Sequence, residues 1–278
     1  MTDAFFMQGE ILGDCVLQRP LRVREERELW FCFNRREKRA SVLKLIRNTA
    51  SRAGFLPAVA HFLKECTCPQ VIRVLDYFPA DPFTAVEFEY VSGGTLSSLL
   101  KKHTRLELKR AVFLFREMLT ALEAVHKAGF IHRDIKPGNV WLDDKGGIRL
   151  GDFGIARVPG HTEAGPAVFG TASGMSPEQT VDTTQVDFRS DLFSLSSLMF
   201  EALTGEKRFA ADSFTETLKL IRESKADEMR ARLLPFATGD LTGLLCRMGE
   251  NSPDARPADV KSVLEELDRM NLPCADSL

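Results

Sequence analysis

The sequence predicts an α+β chain of two lobes, a small N-terminal antiparallel sheet with one helix followed by a larger, mainly helical C-terminal lobe. Three observations carry this. Runs rich in β-formers, divided by polar turns, fill most of the stretch before Val91. A strong helical repeat of Ala111, Phe115, Met118, Leu122 and Val125 runs through Glu107 to Lys127 and is closed by Gly129. The length of 278 residues can bury a sizeable core and suits one bilobal unit or two small domains.

Taken in order, Cys15 to Arg19, Glu28 to Phe33 and Ala40 to Ile46 read as strands, the last two joined by the polar turn Asn34 to Arg39. Phe55 to Cys66 reads as the helix of the small lobe, with Leu56, Ala60 and Leu63 on its buried face. Val71 to Phe78 and Ala85 to Val91 are two more strands around the turn Pro79-Ala80-Asp81-Pro82. After the long helix, Val140-Trp141-Leu142 and Ile148-Arg149-Leu150 flank a turn and form a hairpin. A helix begins at Arg189 and stops at Gly205, and Ala258 to Met270 makes a final one with Val260, Val263, Leu264 and Leu267 on one face.

Between the long helix and the hairpin lies Ile131-His132-Arg133-Asp134-Ile135-Lys136-Pro137-Gly138-Asn139, and Asp152-Phe153-Gly154 follows the hairpin. Metal-assisted phosphoryl transfer needs these residue types. Asp134 can accept a hydroxyl proton and Lys136 can neutralise a transferring phosphate. Asn139 and Asp152 offer the oxygen ligands that Mg²⁺ prefers. Each piece alone is commonplace, since Asp-Phe-Gly is often a turn and His-Arg-Asp a solvated loop. In this order and at this spacing the chain resembles the eukaryotic-type serine/threonine protein kinase family of bacterial-like type, over roughly residues 15 to 270.

The resemblance implies a protein-kinase-like bilobal fold with an N-terminal extension 1–14, an N-lobe 15–91, a C-lobe 92–271 and a tail 272–278. It implies ATP and Mg²⁺ as cofactors. Asp134 and Lys136 would be catalytic with Lys44, the lone lysine in Ala40 to Ile46, which would hold the α and β phosphates. Phe88 would stand at the back of the adenine pocket, Glu89 to Val91 would offer hinge backbone to adenine, and Trp141 would floor its pocket. Asn139 and Asp152 would be the metal ligands. Thr171 would brace Asp134 and Lys136, and Lys136 itself points away from a tyrosine kinase. Arg133 would receive a phosphate on Thr162, the only hydroxyl residue between Ile155 and Gly170. Asp191 would hold the catalytic-loop backbone, and Arg256 would pair with Glu178.

Three departures stand against the family pattern. Where it has G-x-G-x-x-G, this chain has Leu21-Arg22-Val23-Arg24-Glu25-Glu26-Arg27-Glu28-Leu29, and Gly9 and Gly13 are the only glycines before Gly54. Side chains at positive φ would cost roughly 1 kcal/mol or more each, so another loop shape is expected. The arginines are either a solvated charge cluster or groups that reach phosphates themselves. Val59 occupies the place of the family's helix glutamate. Glu65 points about 120° away from Val59 on a regular helix, and reads as a surface residue. Finally, Gly174 stands where the family has an aromatic.

The formal net charge of −2 gives no support for nucleic-acid binding. The six cysteines lack metal spacing and read as reduced thiols. Met1 to Met7 carries an acid where a secretory signal needs basic charge, and no apolar run is long enough to span a membrane, so a cytoplasmic protein is expected. The sequence ends at Leu278 without the anchor and outer sensor of many bacterial relatives, and its input is expected from an upstream sensor or a dimer partner.

The sequence therefore favours a protein serine/threonine kinase that transfers the ATP γ-phosphoryl group to Ser/Thr hydroxyls of a protein substrate. The alternative is a catalytically impaired, kinase-like binding scaffold, because the glycine loop and the helix glutamate act on ATP positioning. A small-molecule phosphotransferase is disfavoured by Lys136, Thr171, Ser176-Pro177-Glu178 and Arg256.

Overall fold

The structure, a computed structural model, describes residues 4–48, 55–158 and 172–278. The chain divides into two compact units, one of Met1–Thr67 with Val71–Val91 and one of Cys68–Gln70 with Ser92–Leu278.

In the first unit β1 (Ile11–Leu12), β2 (Cys15–Arg24), β3 (Arg27–Asn34), β4 (Arg39–Arg47), β5 (Val74–Ala80) and β6 (Phe83–Glu89) form one antiparallel sheet in the order β1-β2-β3-β4-β6-β5. The helix α1 (Phe55–Glu65) packs on β5. The turn expected at Pro79 to Pro82 is shorter, because Pro79 continues β5 opposite Thr84. Its missing N–H is harmless there, since β5 is an edge strand.

One sheet face buries Leu17, Trp30, Cys32, Leu43 and Leu45, and the segment before β1 covers it with Phe6. The rings of Phe5, Phe6 and Phe83 meet at 5.1 to 5.5 Å. Burying a ring of this size contributes roughly 1.5–3 kcal/mol. The backbone N–H of Phe5 donates to the buried Glu28, which also accepts from Trp30 Nε1 at 2.8 Å. Gly13 makes the turn into β2 at φ 56°, where a Cβ would lie 2.8 Å from the Phe78 ring, so both the dihedral and the space require glycine.

The stretch that lacks glycines is an extended hairpin. β2 runs on to Arg24 and turns at Glu25-Glu26 into β3, with Arg24 opposite Arg27. The register shifts twice, between Leu17 and Arg19 and between Pro20 and Arg22. Bulges of this kind re-aim the side chains that follow them. Pro20 is tolerated because β1 pairs only with Cys15 and Val16, which leaves the far edge of β2 open at that point.

The second unit holds α2 (Leu96–His103), α3 (Leu108–Lys127), the hairpin β7 (Val140–Leu142) and β8 (Ile148–Leu150), then α4 (Arg189–Thr204), α5 (Phe214–Glu223), α6 (Ala226–Leu233), α7 (Gly239–Met248) and α8 (Val260–Arg269). The apolar repeat of α3 is buried against α4, α8 and β8. α4 is buried on nearly every side and ends at Gly205 in the left-handed conformation. Hydroxyl and carboxylate caps at Thr95, Ser213, Thr238 and Asp259 fix the starts of α2, α5, α7 and α8. The C-terminal residues bond back to this unit, Ala275 N–H to Lys109 O and Leu278 N–H to Gly146 O. All six cysteines are free thiols, and among the described residues no helix is long and apolar enough to cross a membrane.

Candidate active site

The loop between α3 and β7 is tied to itself by its own side chains. Lys136 Nζ donates to both oxygens of Asp134, at 2.9 and 2.7 Å. Asn139 Nδ2 donates to the Asp134 backbone carbonyl and to its Oδ2, each at 2.8 Å. Asp134 is nearly buried, so these charge-assisted bonds hold the carboxylate in one orientation. Asn139 spends its nitrogen on Asp134, and its amide oxygen remains the acceptor that a hard cation would use.

Beneath the loop stands Asp191 in the first turn of α4, fully buried. Its Oδ2 accepts from the His132 backbone N–H and from His126 Nε2, both at 2.8 Å, and its Oδ1 from the Arg133 N–H at 2.8 Å. Arg133 has φ 65°, a left-handed backbone that an arginine adopts only where its surroundings dictate it. Burial alone would raise the Asp191 pKa, but the His126 hydrogen bond and the nearby histidines outweigh it and hold the group below the usual carboxylate value.

His132 fixes the loop from within. Its Nε2 donates to the Gly151 carbonyl at 3.1 Å and its Nδ1 accepts the Asp134 backbone N–H at 3.2 Å, which sets the tautomer. Full burial drives its pKa below the ordinary 6.5, and the opposing charges of Asp191, Asp134 and Asp152 do not reverse this. A depressed pKa means that the unfolded chain binds more protons below about pH 6.5 than the folded one. The stability that His132 contributes is therefore present above its unfolded pKa and is lost as pH falls toward the folded value. Urea unfolding should show stability falling below about pH 6.5 by up to ~1.4 kcal/mol per pH unit. His132→Gln should flatten that slope, and an unchanged slope in the variant would contradict the neutral, buried imidazole. Asp191 adds a loss of the same sign at lower pH, beginning below its ordinary 3.8.

The hairpin brings Asp152 to this loop. Val140 pairs with Leu150 and the Gly151 N–H donates to the Asn139 carbonyl at 2.9 Å, so Asp152 follows directly on the residue that faces Asn139. Asp152 has φ 60°, and the Phe153 ring packs on His132 at 4.6 Å. Beyond it, Arg157 and Ile131 exchange backbone hydrogen bonds, which returns the chain alongside the loop that carries Asp134. Gly174 has a physical reason: a Cβ there would lie 3.0 Å from the Ile135 carbonyl, and Ser194 Oγ donates to the Gly174 carbonyl at 2.6 Å.

Arg256 donates to Glu178 through two parallel bonds of 2.7 and 2.8 Å, and to the carbonyls of Glu250, Arg189 and Asn251. Its side chain is fully buried. The neighbouring Gln179 was not singled out by sequence reasoning, yet it is the hub of this region. Its Oε1 accepts from Ser176 N–H and Ser190 Oγ, and its Nε2 donates to the Arg133 carbonyl at 2.9 Å. The signal was present only as its place next to Glu178. The Arg133 guanidinium donates to the carbonyls of Ile155 and Thr183, each at 2.7 Å. Thr162 and Thr171 lie outside the described residues.

In the first unit Lys44 lies in β4, opposite Leu29 on one side and Val86 on the other. Val59 is buried in α1 and Glu65 is exposed at that helix's end. Glu89 ends β6 and its carboxylate accepts the Arg73 N–H at 2.9 Å, while Val91 closes the unit. In the second unit Trp141 bridges to Thr95.

A carboxylate clamped by lysine and asparagine, a second carboxylate delivered by a hairpin and a buried aspartate beneath them make up the candidate site. The family model described as a protein kinase domain matches residues 29–266, and the chain belongs to that family. Among curated proteins it is 32% identical over 225 residues to a probable serine/threonine-protein kinase of Clostridium perfringens, covering 76% of this chain and 32% of the relative. It is 32% identical over 244 residues to the serine/threonine-protein kinase pkn3 of Myxococcus xanthus, covering 81% and 44%. Against the serine/threonine-protein kinase PknD of Mycobacterium tuberculosis it is 34% identical over 221 residues, covering 77% and 33%. The chain thus spans less than half the length of these relatives.

Proposed function

We propose that the chain transfers the γ-phosphoryl group of ATP to serine or threonine hydroxyls of a protein substrate. The observation that carries this reading is the Asp134 carboxylate, held by Lys136 and Asn139, with Asp152 one residue beyond the Gly151 N–H that bonds the Asn139 carbonyl. In this reading the substrate oxygen bonds to the γ-phosphorus, the bond from that phosphorus to the β-bridging oxygen breaks, and ADP leaves. Asp134 takes the hydroxyl proton, and Lys136 balances charge on the phosphoryl group.

The donor set suits Mg²⁺, because Asn139 offers an amide oxygen and Asp152 a carboxylate. Among the described residues no group of three or more His, Cys, Asp or Glu gathers into a closed metal cage. Mg²⁺ is commonly held by one or two protein ligands together with water and substrate phosphates. When bound, the ion would neutralise phosphate charge. Lys44 would anchor the α and β phosphates, the Glu89 to Val91 backbone and Trp141 would meet adenine, and Thr171 would brace Asp134 and Lys136. Arg133 with Thr162 would form the regulatory pair, while Glu178, Asp191 and Arg256 hold the frame. We also read the chain as cytoplasmic, with input from an upstream sensor or a dimer partner and no role in nucleic-acid binding. The scaffold reading draws nothing from the relatives, whose names are those of serine/threonine-protein kinases.

Incubation with radiolabelled ATP, Mg²⁺ and a generic protein substrate tests the proposal. Wild type should label the substrate, and Asp152→Ala and Lys44→Met should each lower labelling by about 100-fold or more, since misplaced phosphates cost large factors in rate. Equal background labelling in all three proteins would sink the proposal.

A further inference from the structure

The register of the first unit answers a question that the missing glycine loop leaves open. Leu29 stands opposite Arg22 on one side and Lys44 on the other, so Arg22, Leu29, Lys44 and Val86 form one row across four strands. Side chains directly opposite one another in a sheet share a face. The next row is Arg24, Arg27, Ile46 and Thr84. Residues two apart on a strand return to the same face, so Arg22, Arg24 and Arg27 all lie on the face that bears Lys44. The alternate residues Glu28, Trp30 and Cys32 are buried on the opposite face. A row further on, Arg19 stacks over the Phe31 ring at 5.3 Å, as expected if both side chains occupy this same face.

We propose that Arg22, Arg24 and Arg27 together with Lys44 form a phosphate-binding face that takes the phosphate chain of a nucleotide, doing with guanidinium groups what a glycine-rich loop does with backbone N–H groups. The inference rests on the kinase reading above. The hairpin arm is extended and its arginines are exposed or half-exposed, and among the described residues no ion pair neutralises Arg22, Arg24 or Arg27. Neighbouring strands stand ~4.8 Å apart, which puts Arg22 ~10 Å from Lys44, with ~7 Å between the two rows. Long side chains from both rows can converge on one phosphate chain across that span. Guanidinium forks suit phosphate oxygens and stay charged at any physiological pH. Such a face needs no positive φ and no close backbone approach, consistent with a sequence that has no glycine between Gly13 and Gly54.

The test is calorimetric binding of Mg-ATP and of adenosine to the full chain, comparing wild type with the triple variants R22Q/R24Q/R27Q and R22K/R24K/R27K. The glutamine variant should weaken ATP binding by about tenfold or more and leave adenosine affinity unchanged, with the lysine variant in between. In the transfer assay the glutamine variant should raise KM for ATP more than it lowers kcat. ATP binding equal to wild type in the glutamine variant would overturn the arginine face and leave the kinase reading intact. An equal loss for ATP and adenosine would also overturn it, since the damage would then lie outside phosphate recognition. Failure of wild type to bind ATP at all would remove the kinase reading and this inference with it.

Discussion

Asp134→Asn is expected to lower kcat for protein phosphorylation by about 10²–10⁴-fold, the usual worth of a positioned general base. The substitution keeps the volume and removes the proton acceptor. It also places an amide nitrogen among the donors Lys136 Nζ and Asn139 Nδ2, which now converge on the carboxylate. One of them must then face another donor, so the loop loses orientation as well as basicity. Steady-state kinetics with saturating ATP would measure the effect, with nucleotide binding checked in parallel. A variant that keeps more than about half of wild-type kcat would show that some other group takes the proton.

Asp191→Ala should cost about 3–5 kcal/mol, the scale for removing one member of a buried ionic network. Three donors lose their acceptor at once: the buried backbone N–H groups of His132 and Arg133, and the partly buried His126 Nε2. For a unit of this size the loss corresponds to a fall in melting temperature of roughly 10 °C. Activity should fall with it, because those two N–H groups hold the backbone that carries Asp134. Asp191→Asn can keep one or two of the acceptor contacts and should be milder in both respects. Thermal unfolding and transfer assays on the two variants make the comparison. A melting temperature within about 2 °C of wild type for Asp191→Ala would contradict the view that this carboxylate supports the loop.

The two units differ in how readily the sequence reveals their chemistry. In the second, the functional groups lie close together in the chain: Asp134, Lys136 and Asn139 share one short loop, and Asp152 is one hairpin away. Local spacing therefore encodes their proximity, and the structure adds the bonds between them. Gln179 was hidden because the partner that links it to the Asp134 loop, the Arg133 carbonyl, lies 46 residues away and is brought to it only by tertiary packing, while Ser176 and Ser190 are local.

In the first unit the decisive feature is strand register, which periodicity alone misreads. A strict alternation from Cys15 would put Arg19 on the face of Leu17 and away from Arg22 and Arg24. Two register shifts, at Gln18 and Leu21, bring Arg19 to the face of Arg22 and Arg24 while leaving those two where alternation puts them. No residue in the stretch announces a bulge, since neither shift uses glycine. The contribution of Phe6 is concealed for a similar reason, as β1 has only two residues and its turn depends on Gly13 fitting beneath Phe78.

The central claim is that this protein moves a phosphoryl group to a hydroxyl of another protein. Phosphoamino-acid analysis of a substrate labelled by the wild-type chain tests it most directly, with Mg²⁺ present in one sample and chelated in the other. The account predicts phosphoserine or phosphothreonine in the first sample and none in the second. Nucleotide binding without any labelled hydroxyl, or label found only on tyrosine, would contradict it.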